Sequence, residues 1–329
     1  MTFQVTIEPD GRRFRTLVSE TLLEAARRNG IALPYECGWG HCGSCKVTVV
    51  EGQTDLMFPA APALTPRDQK LNRTVACQAI ACSDLVIKLS PGEPQSPAIA
   101  CRTQEAELVA VEELAPEIRR FTLRPEGGAD FLPGQYAILH LGDRLRRAYS
   151  MCNLPDGETL QVISKRYPGG AGSNALAVLQ PGDRLTLESP FGTCTLKPRP
   201  GRKIFIAGGT GISPILSLVR QAARDSVDFA APVDIVYCAR RVADLAASDE
   251  LAEAAAAIAG ATYTPCVEEE TSQPDHATGR ALDVLASLAY DPAATEFYVA
   301  GPPVMVNAVK SHLKEAGVAI TRIHYDSFG

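Results

Sequence analysis

The sequence has no apolar run long enough to span a bilayer: its longest stretches resemble Leu251–Ala259, whereas a membrane helix needs about 20 apolar residues. Runs rich in lysine or arginine are absent too, and the formal net charge is −6. Nucleic acid as the main partner would call for a basic patch instead. The amino terminus, Met1-Thr-Phe-Gln-Val-Thr-Ile-Glu-Pro9, alternates as a strand does and carries no apolar signal core. No internal repeat is visible. Ten cysteines without a leader fit a reducing cytoplasm, where those without a ligand role stay as thiols. The expectation is a cytoplasmic protein that binds neither membrane nor nucleic acid. What remains is ordinary: 329 residues, 46% hydrophobic and 21% charged, suited to two or three globular domains.

Four of the cysteines are not ordinary. Cys37-Gly-Trp-Gly-His-Cys42-Gly-Ser-Cys45, followed by Thr74-Val-Ala-Cys77, has the C-x4-C-x2-C…C spacing of plant-type [2Fe–2S] ligands. Three sulfurs on one tight loop require small, conformationally free residues between them. Gly38, Gly40, Gly43 and Ser44 supply these. Zinc is the competing metal, although structural zinc sites pair short-spaced ligands twice or add histidines. A Rieske cluster needs two histidines, and only His41 is near. For the fourth ligand, Cys82 competes with Cys77 from five residues further on.

Three blocks follow one another. Residues 1–90 read as a hairpin turned at Pro9-Asp10-Gly11, then a helix at Thr21–Asn29 with Thr21 and Glu24 at capping-box spacing. The cysteine loop comes next, then strands at Lys46–Val50 and Leu85–Leu89, with a short helix from Thr65-Pro66 between them. Residues 91–103 form a proline-rich linker. Residues 104–198 are rich in strands broken by turns such as Leu132-Pro-Gly134, as in a small antiparallel β-barrel. Residues 199–329 alternate strand and helix, as in a parallel, doubly wound α/β sheet.

The second block carries Arg146-Arg147-Ala-Tyr149-Ser150. Downstream, Gly169-Gly170-Ala-Gly172-Ser173 opens a helix placed at Asn174–Leu179. Small residues at a helix start let backbone amides approach a phosphate, and an arginine fork suits a pyrophosphate. In the third block, Lys203-Ile-Phe-Ile-Ala207-Gly208-Gly209-Thr210-Gly211-Ile-Ser213-Pro214 is a buried strand entering a glycine-rich turn and a helix. Later, Ala300-Gly301-Pro302-Pro303 again sets small residues at the carboxyl end of a strand, the edge where open α/β sheets bind ligands.

In this order the motifs resemble the ferredoxin–NADP reductase superfamily fused to an amino-terminal plant-type ferredoxin. That is the arrangement of single-chain NADH-dependent reductase components of aromatic-ring (Rieske-type) dioxygenases. The resemblance implies a β-grasp ferredoxin domain, a β-barrel flavin domain and an α/β nucleotide domain. It also implies a path from NADH through FAD and a [2Fe–2S] cluster to a terminal oxygenase or an intermediate ferredoxin. Cys37, Cys42, Cys45 and Cys77 would hold the metal. Arg147, Gly170, Gly172 and Ser173 would hold the flavin pyrophosphate, with Tyr149 along the ring and Ser150 near its N5. Gly209, Thr210, Gly211, Ser213, Gly301 and Pro302 would line the nucleotide site, and Phe328 would lie near the flavin. Many relatives have cysteine where this chain has Ala300.

FMN is the alternative flavin, but FMN-using relatives place the ferredoxin last. Arg240 and Arg241 follow the second strand of the third block, where a 2′-phosphate would need cations. Relatives with a similar Ala-Arg-x-x-x-Asp-Leu stretch nonetheless favour NADH over NADPH. Alternative roles are the reductase of a diiron monooxygenase or of a deoxysugar dehydratase, and a redox-responsive binding module. The expected state is a monomer. Residues 1–90 hold ten Lys/Arg and nine Asp/Glu, so long-range steering of a partner is expected to be modest, with Trp39 and His41 as candidates for the exit face. Replacing Cys42 by serine is expected to remove the iron–sulfur absorbance while NADH oxidation by ferricyanide continues. Visible spectroscopy of the variant checks it, and intact cluster absorbance would reject the ligand assignment.

Overall fold

The computed structural model describes residues 2–17, 20–35, 40, 43–57, 61, 63–89, 99–142, 145–225, 231–269 and 276–327. The chain divides into two units, Met1–Cys101 and Arg102–Gly329.

In the first unit, apolar alternation makes Phe3–Glu8 and Arg13–Thr16 an antiparallel hairpin, with Val5 opposite Phe14. Gly11, at φ +71°, takes the left-handed turn position, and its amide donates to Ile7 O at 2.8 Å. The helix Leu22–Arg28 starts at a complete capping box: Glu24 N donates to Thr21 Oγ1 at 3.2 Å, and Thr21 N to Glu24 Oε2 at 2.8 Å. A second box, Thr65 with Asp68, starts the helix Pro66–Lys70. The five-stranded sheet runs, in spatial order, Arg13–Thr16, Phe3–Glu8, Leu85–Leu89, Lys46–Glu51 and Arg73–Val75. Its one parallel pair sets Val5 against Leu85. Leu22, Leu23, Ala25 and Ala26 of the first helix are buried with Val5, Ile7, Val47 and Ile87 of the sheet. A mixed sheet grasping one helix is the β-grasp arrangement. The short strands Thr54–Leu56 and Ala79–Ala81, which the sequence pattern did not disclose, pair beside it.

In the second unit, six antiparallel strands run in the spatial order Arg146–Ser150, Tyr136–His140, Arg184–Phe191, Arg102–Ala115, Ile118–Pro125 and Leu160–Lys165. A bridge from Met151 to Val162 ties the two edges of this sheet, closing a barrel around Leu108, Phe121, Leu139, Val162 and Leu187. A helix follows at Ala171–Ala177, starting three residues before the Asn174 expected from sequence. The small residues that were read as its approach loop form its first turn, with Gly170 as N-cap and Asn174 N bonded back to Gly170 O at 3.0 Å.

The rest of this unit is a six-stranded, wholly parallel sheet: Ala277–Thr278, Ala261–Val267, Val233–Ala239, Lys203–Gly208, Glu296–Gly301 and Ile323–Ser327 in spatial order. The chain starts at Lys203–Gly208, builds outward to one edge, then returns to the other side of that first strand. The switch point therefore falls between Lys203–Gly208 and Glu296–Gly301, where doubly wound sheets open a ligand crevice. Barrel and sheet share a core: Ile118, Cys152 and Ile163 are buried with Ile215, Leu218 and Val219 of the helix Ile212–Arg224. Glu250, from the helix Ser248–Ala256, pairs with both Arg120 of the barrel and Arg220, and Arg220 also donates to Cys152 O at 3.1 Å.

The Arg120 side chain is only 11% exposed and is shared between Glu250 and Glu112, the latter 2.8 Å from Arg120 Nη1, so loss of the Glu250 charge leaves Arg120 with one carboxylate and Arg220 without its ion pair. Glu250→Gln is expected to cost about 1 kcal/mol, read as a fall of a few degrees in the melting temperature of the holoprotein.

Candidate functional site: a flavin cradle facing a nucleotide crevice

Arg147 lies on the barrel strand Arg146–Ser150, whose position is set by pairing with Tyr136–His140. Its side chain runs across the start of the helix Ala171–Ala177: a Cβ built on Gly172 would stand 2.5 Å from Arg147 Cγ. Two motifs separated in sequence thus form one cradle, a guanidinium beside helix-start amides, which fits a pyrophosphate. Ser173 Oγ turns back into this turn, accepting from Tyr167 N at 3.2 Å and donating to Gly170 O at 3.3 Å. It therefore shapes the cradle through the backbone. Burial pushes the Tyr149 phenol up to about 12, against a hydrogen bond with Ser164 that lowers it, so the ring stays neutral at pH 7.

Ser150 Oγ donates to Asp326 Oδ2 at 2.5 Å, the length of a charge-assisted bond. Asp326 sits on the last strand, Ile323–Ser327, in register with Ala300. Sequence reasoning named Ser150 and missed Asp326, because the bond joins positions 176 residues apart. The one available signal was a carboxylate near the end of a strand that neighbours the switch point.

At the switch point the glycines serve different ends. A Cβ on Gly211 would stand 2.1 Å from Ala300 O, so this glycine lets the helix start pack on the neighbouring strand. Gly301, at φ +152°, approaches Gly208: a Cβ there would meet Gly208 O at 3.0 Å and Met305 Cε at 2.8 Å. A cavity of about 500 Å³ opens over the carboxyl ends of four strands. Of the residues expected there, Gly209, Arg240 and Pro302 line it; Thr210, Gly211, Ser213 and Gly301 do not. Ser213 is buried in the first turn of its helix, and its Oγ makes no hydrogen bond. Lining residues that sequence reasoning missed include Lys165 and Tyr167 from the barrel side, Met305, Asp244, Glu268 and Arg280. The volume and the position are those of a nucleotide site.

In the first unit, Cys45 and Cys77 are buried with their sulfurs 3.2 Å apart, and no disulfide occurs among the described cysteines. Cys82 is exposed, its thiol directed at Ile80 O. The donor set thus favours Cys77 over Cys82 as the companion of Cys45, and two facing thiols fit a metal cluster. Gly40 and Gly43, at φ +90° and +79°, take the left-handed conformations that the loop was expected to need. Cys37, Gly38, Trp39, His41, Cys42, most of the linker and Phe328 lie outside the described residues.

The chain matches the 2Fe-2S iron-sulfur cluster binding domain over residues 5–82. It also matches the oxidoreductase FAD-binding domain over 105–196 and the oxidoreductase NAD-binding domain over 205–311. A ferredoxin–NAD(P)+ reductase of Metapseudomonas resinovorans is 36% identical over 94% of both chains. The chain belongs to the ferredoxin–NAD(P)+ reductase family. The ferredoxin–NAD(+) reductase component of an alkene monooxygenase system from Xanthobacter autotrophicus is 34% identical, covering 97% of this chain and 98% of that one. Among solved structures, the ferredoxin reductase in carbazole 1,9a-dioxygenase superposes with a TM-score of 0.86 at 34% identity, over 100% of this chain and 99% of the other. The protein is an electron-transfer oxidoreductase using a nicotinamide coenzyme, FAD and a [2Fe–2S] cluster. The expected fold class holds for all three parts. Among the described residues no helix is long and apolar enough to cross a membrane.

A methyl group at Gly172 would strike Arg147 near the root of its side chain, where it cannot swing aside. Gly172→Ala is expected to weaken FAD retention about tenfold, or about 1.4 kcal/mol, measured from the fluorescence of flavin released on dilution. Unchanged retention would remove Arg147 and Gly172 from the flavin cradle.

Proposed function

We propose that this protein carries electrons from NADH, through FAD and the cluster, to the terminal oxygenase of an aromatic-ring-hydroxylating dioxygenase system. The observation that carries the reading is the Ser150–Asp326 hydrogen bond. It joins the flavin strand to a strand beside the nucleotide switch point, so the two cofactor sites share one junction. Relatives named as reductase components of carbazole and naphthalene dioxygenase systems support the choice of partner.

In this reading Arg147, Gly170, Gly172 and Ser173 bind the FAD pyrophosphate. Tyr149 flanks the flavin ring as a neutral phenol. Ser150, whose hydroxyl proton is held by Asp326, would offer its oxygen as an acceptor to the flavin ring. Gly209, Arg240 and Pro302 contact the nicotinamide coenzyme, while Thr210, Gly211, Ser213 and Gly301 shape the turns around it. Phe328 would contribute an aromatic ring near the flavin. Cys37, Cys42, Cys45 and Cys77 hold the cluster. When bound, the flavin takes paired electrons from the coenzyme and releases them singly to the cluster. NADH is favoured over NADPH because Arg240, at the end of the second strand, is already paired with Glu269.

A second reading, service to a monooxygenase, is favoured by the alkene monooxygenase relative. Both are tested by anaerobic titration with NADH followed by reconstitution. The expected result is bleaching of flavin and cluster bands together, then ring hydroxylation with a Rieske-type oxygenase. Product formation with a diiron monooxygenase alone would transfer the assignment to the second reading, and a colourless protein would reject both.

A further inference from the structure

Each cation lining the nucleotide cavity is paired with a carboxylate, the one at Lys165 being shared with Arg241. The three are Lys165, Arg240 and Arg280. Lys165 Nζ lies 2.9 Å from Asp244 Oδ1, Arg240 pairs with Glu269, and Arg280 Nε lies 3.5 Å from Glu268 Oε2. The two arginines are mostly exposed, 74% and 78%, and are free to reach a ligand.

Their position matters because of the sheet order. In a doubly wound sheet the pyrophosphate lies at the first strand's turn and the adenosine ribose at the end of the second, where an acidic residue ordinarily receives the 2′-hydroxyl. Here the second strand ends in Ala239 followed by Arg240. The acidic residues come from the neighbouring strand, Ala261–Val267, and the backbone fixes them in place. Glu268 N donates to Ala239 O and Arg240 O, both at 3.2 Å, and Glu269 N donates to Arg240 O at 3.0 Å. The third strand therefore delivers two carboxylates to the spot where the second delivers an arginine.

We propose that Glu268 and Glu269 determine the choice of coenzyme, by masking the two arginines that would otherwise bind the 2′-phosphate of NADPH. This rests on reading the cavity as the NADH site. With both carboxylates present, the arginine–glutamate quartet is neutral, so a 2′-phosphate gains no net attraction while losing its hydration. With both removed, two arginine forks face the ribose, and arginine is the residue best matched to phosphate geometry. The ribose hydroxyls of NADH need only an acceptor, which Glu268 provides.

The test uses the holoprotein and two adenosine probes, adenosine 2′,5′-bisphosphate and adenosine 5′-monophosphate, with affinities from titration calorimetry. Glu268→Gln, Glu269→Gln and the double variant keep the side-chain shape. The double variant is expected to raise the ratio of bisphosphate to monophosphate affinity about tenfold. Adding Arg280→Ala or raising the salt should erase the gain, which a purely structural role would not produce. The ratio of NADPH to NADH kcat/KM should rise in parallel. A wild-type protein that rejects the bisphosphate, with a double variant that still rejects it, overturns the proposal and leaves the NADH reading intact. A wild-type protein that already prefers the bisphosphate overturns both.

Discussion

The approach of two backbones at the switch point is the constraint on which the second unit depends. Gly211 lets the start of the helix Ile212–Arg224 rest against Ala300 O, and Gly301 does the same against Gly208 O. A side chain at either place would push apart strands Lys203–Gly208 and Glu296–Gly301, which pair along their length from Lys203–Glu296 to Ala207–Ala300. The crevice above them would change shape with the strands, and so would the last strand, which carries Asp326 into register with Ala300. These glycines are thus structural first. They set the distance between the nucleotide crevice and the carboxylate that holds Ser150.

The same junction is braced from outside. Lys165 of the barrel reaches Asp244 after the second parallel strand, Ser217 donates to Asn153 O at 2.8 Å, and Glu250 links Arg120 to Arg220. The ion pairs among these are partly exposed and contribute modestly one by one, while the Ser217 bond is buried. Their arrangement matters more: they tie barrel and sheet together at several separated points, so the barrel cannot rock against the parallel sheet without breaking several at once. Transfer between bound cofactors depends on fixed geometry, and the buried cluster of Ile118, Cys152 and Ile163 with Ile215, Leu218 and Val219 supplies the apolar half of that rigidity.

Local chemistry was legible in the sequence. The Thr21–Glu24 capping box, the proline-led helix start at Pro66, the glycine turns and the alternation of strand and helix depend on neighbours a few residues apart, and the structure forms them where the sequence expects them; the capping box of Thr65 with Asp68 was not anticipated. The start of the helix Ala171–Ala177 was misread because Ala171-Gly-Ser looks like loop by propensity, yet Asn174 N closes the first turn onto Gly170. Illegible were the contacts made by folding alone. Arg147 meeting Gly172 joins a strand to a helix, Ser150 meeting Asp326 joins two different sheets, and Glu268 lying beside Arg240 O follows from strand register. No spacing in one sequence encodes that register. Ser213 fails in the opposite way, since its motif position suggested the ligand while packing of the helix buries it.

The alanine at position 300 shows how such a junction tolerates change. Many relatives carry a thiol there, yet Ala300 is wholly buried, and its carbonyl fills the space beside Gly211. The polar atoms nearest in register belong to Asp326 on the adjoining strand. The side-chain carboxylate on that next strand is already bonded to Ser150. Exchange of cysteine for alanine then alters a side chain without moving the backbone contact that both strands require.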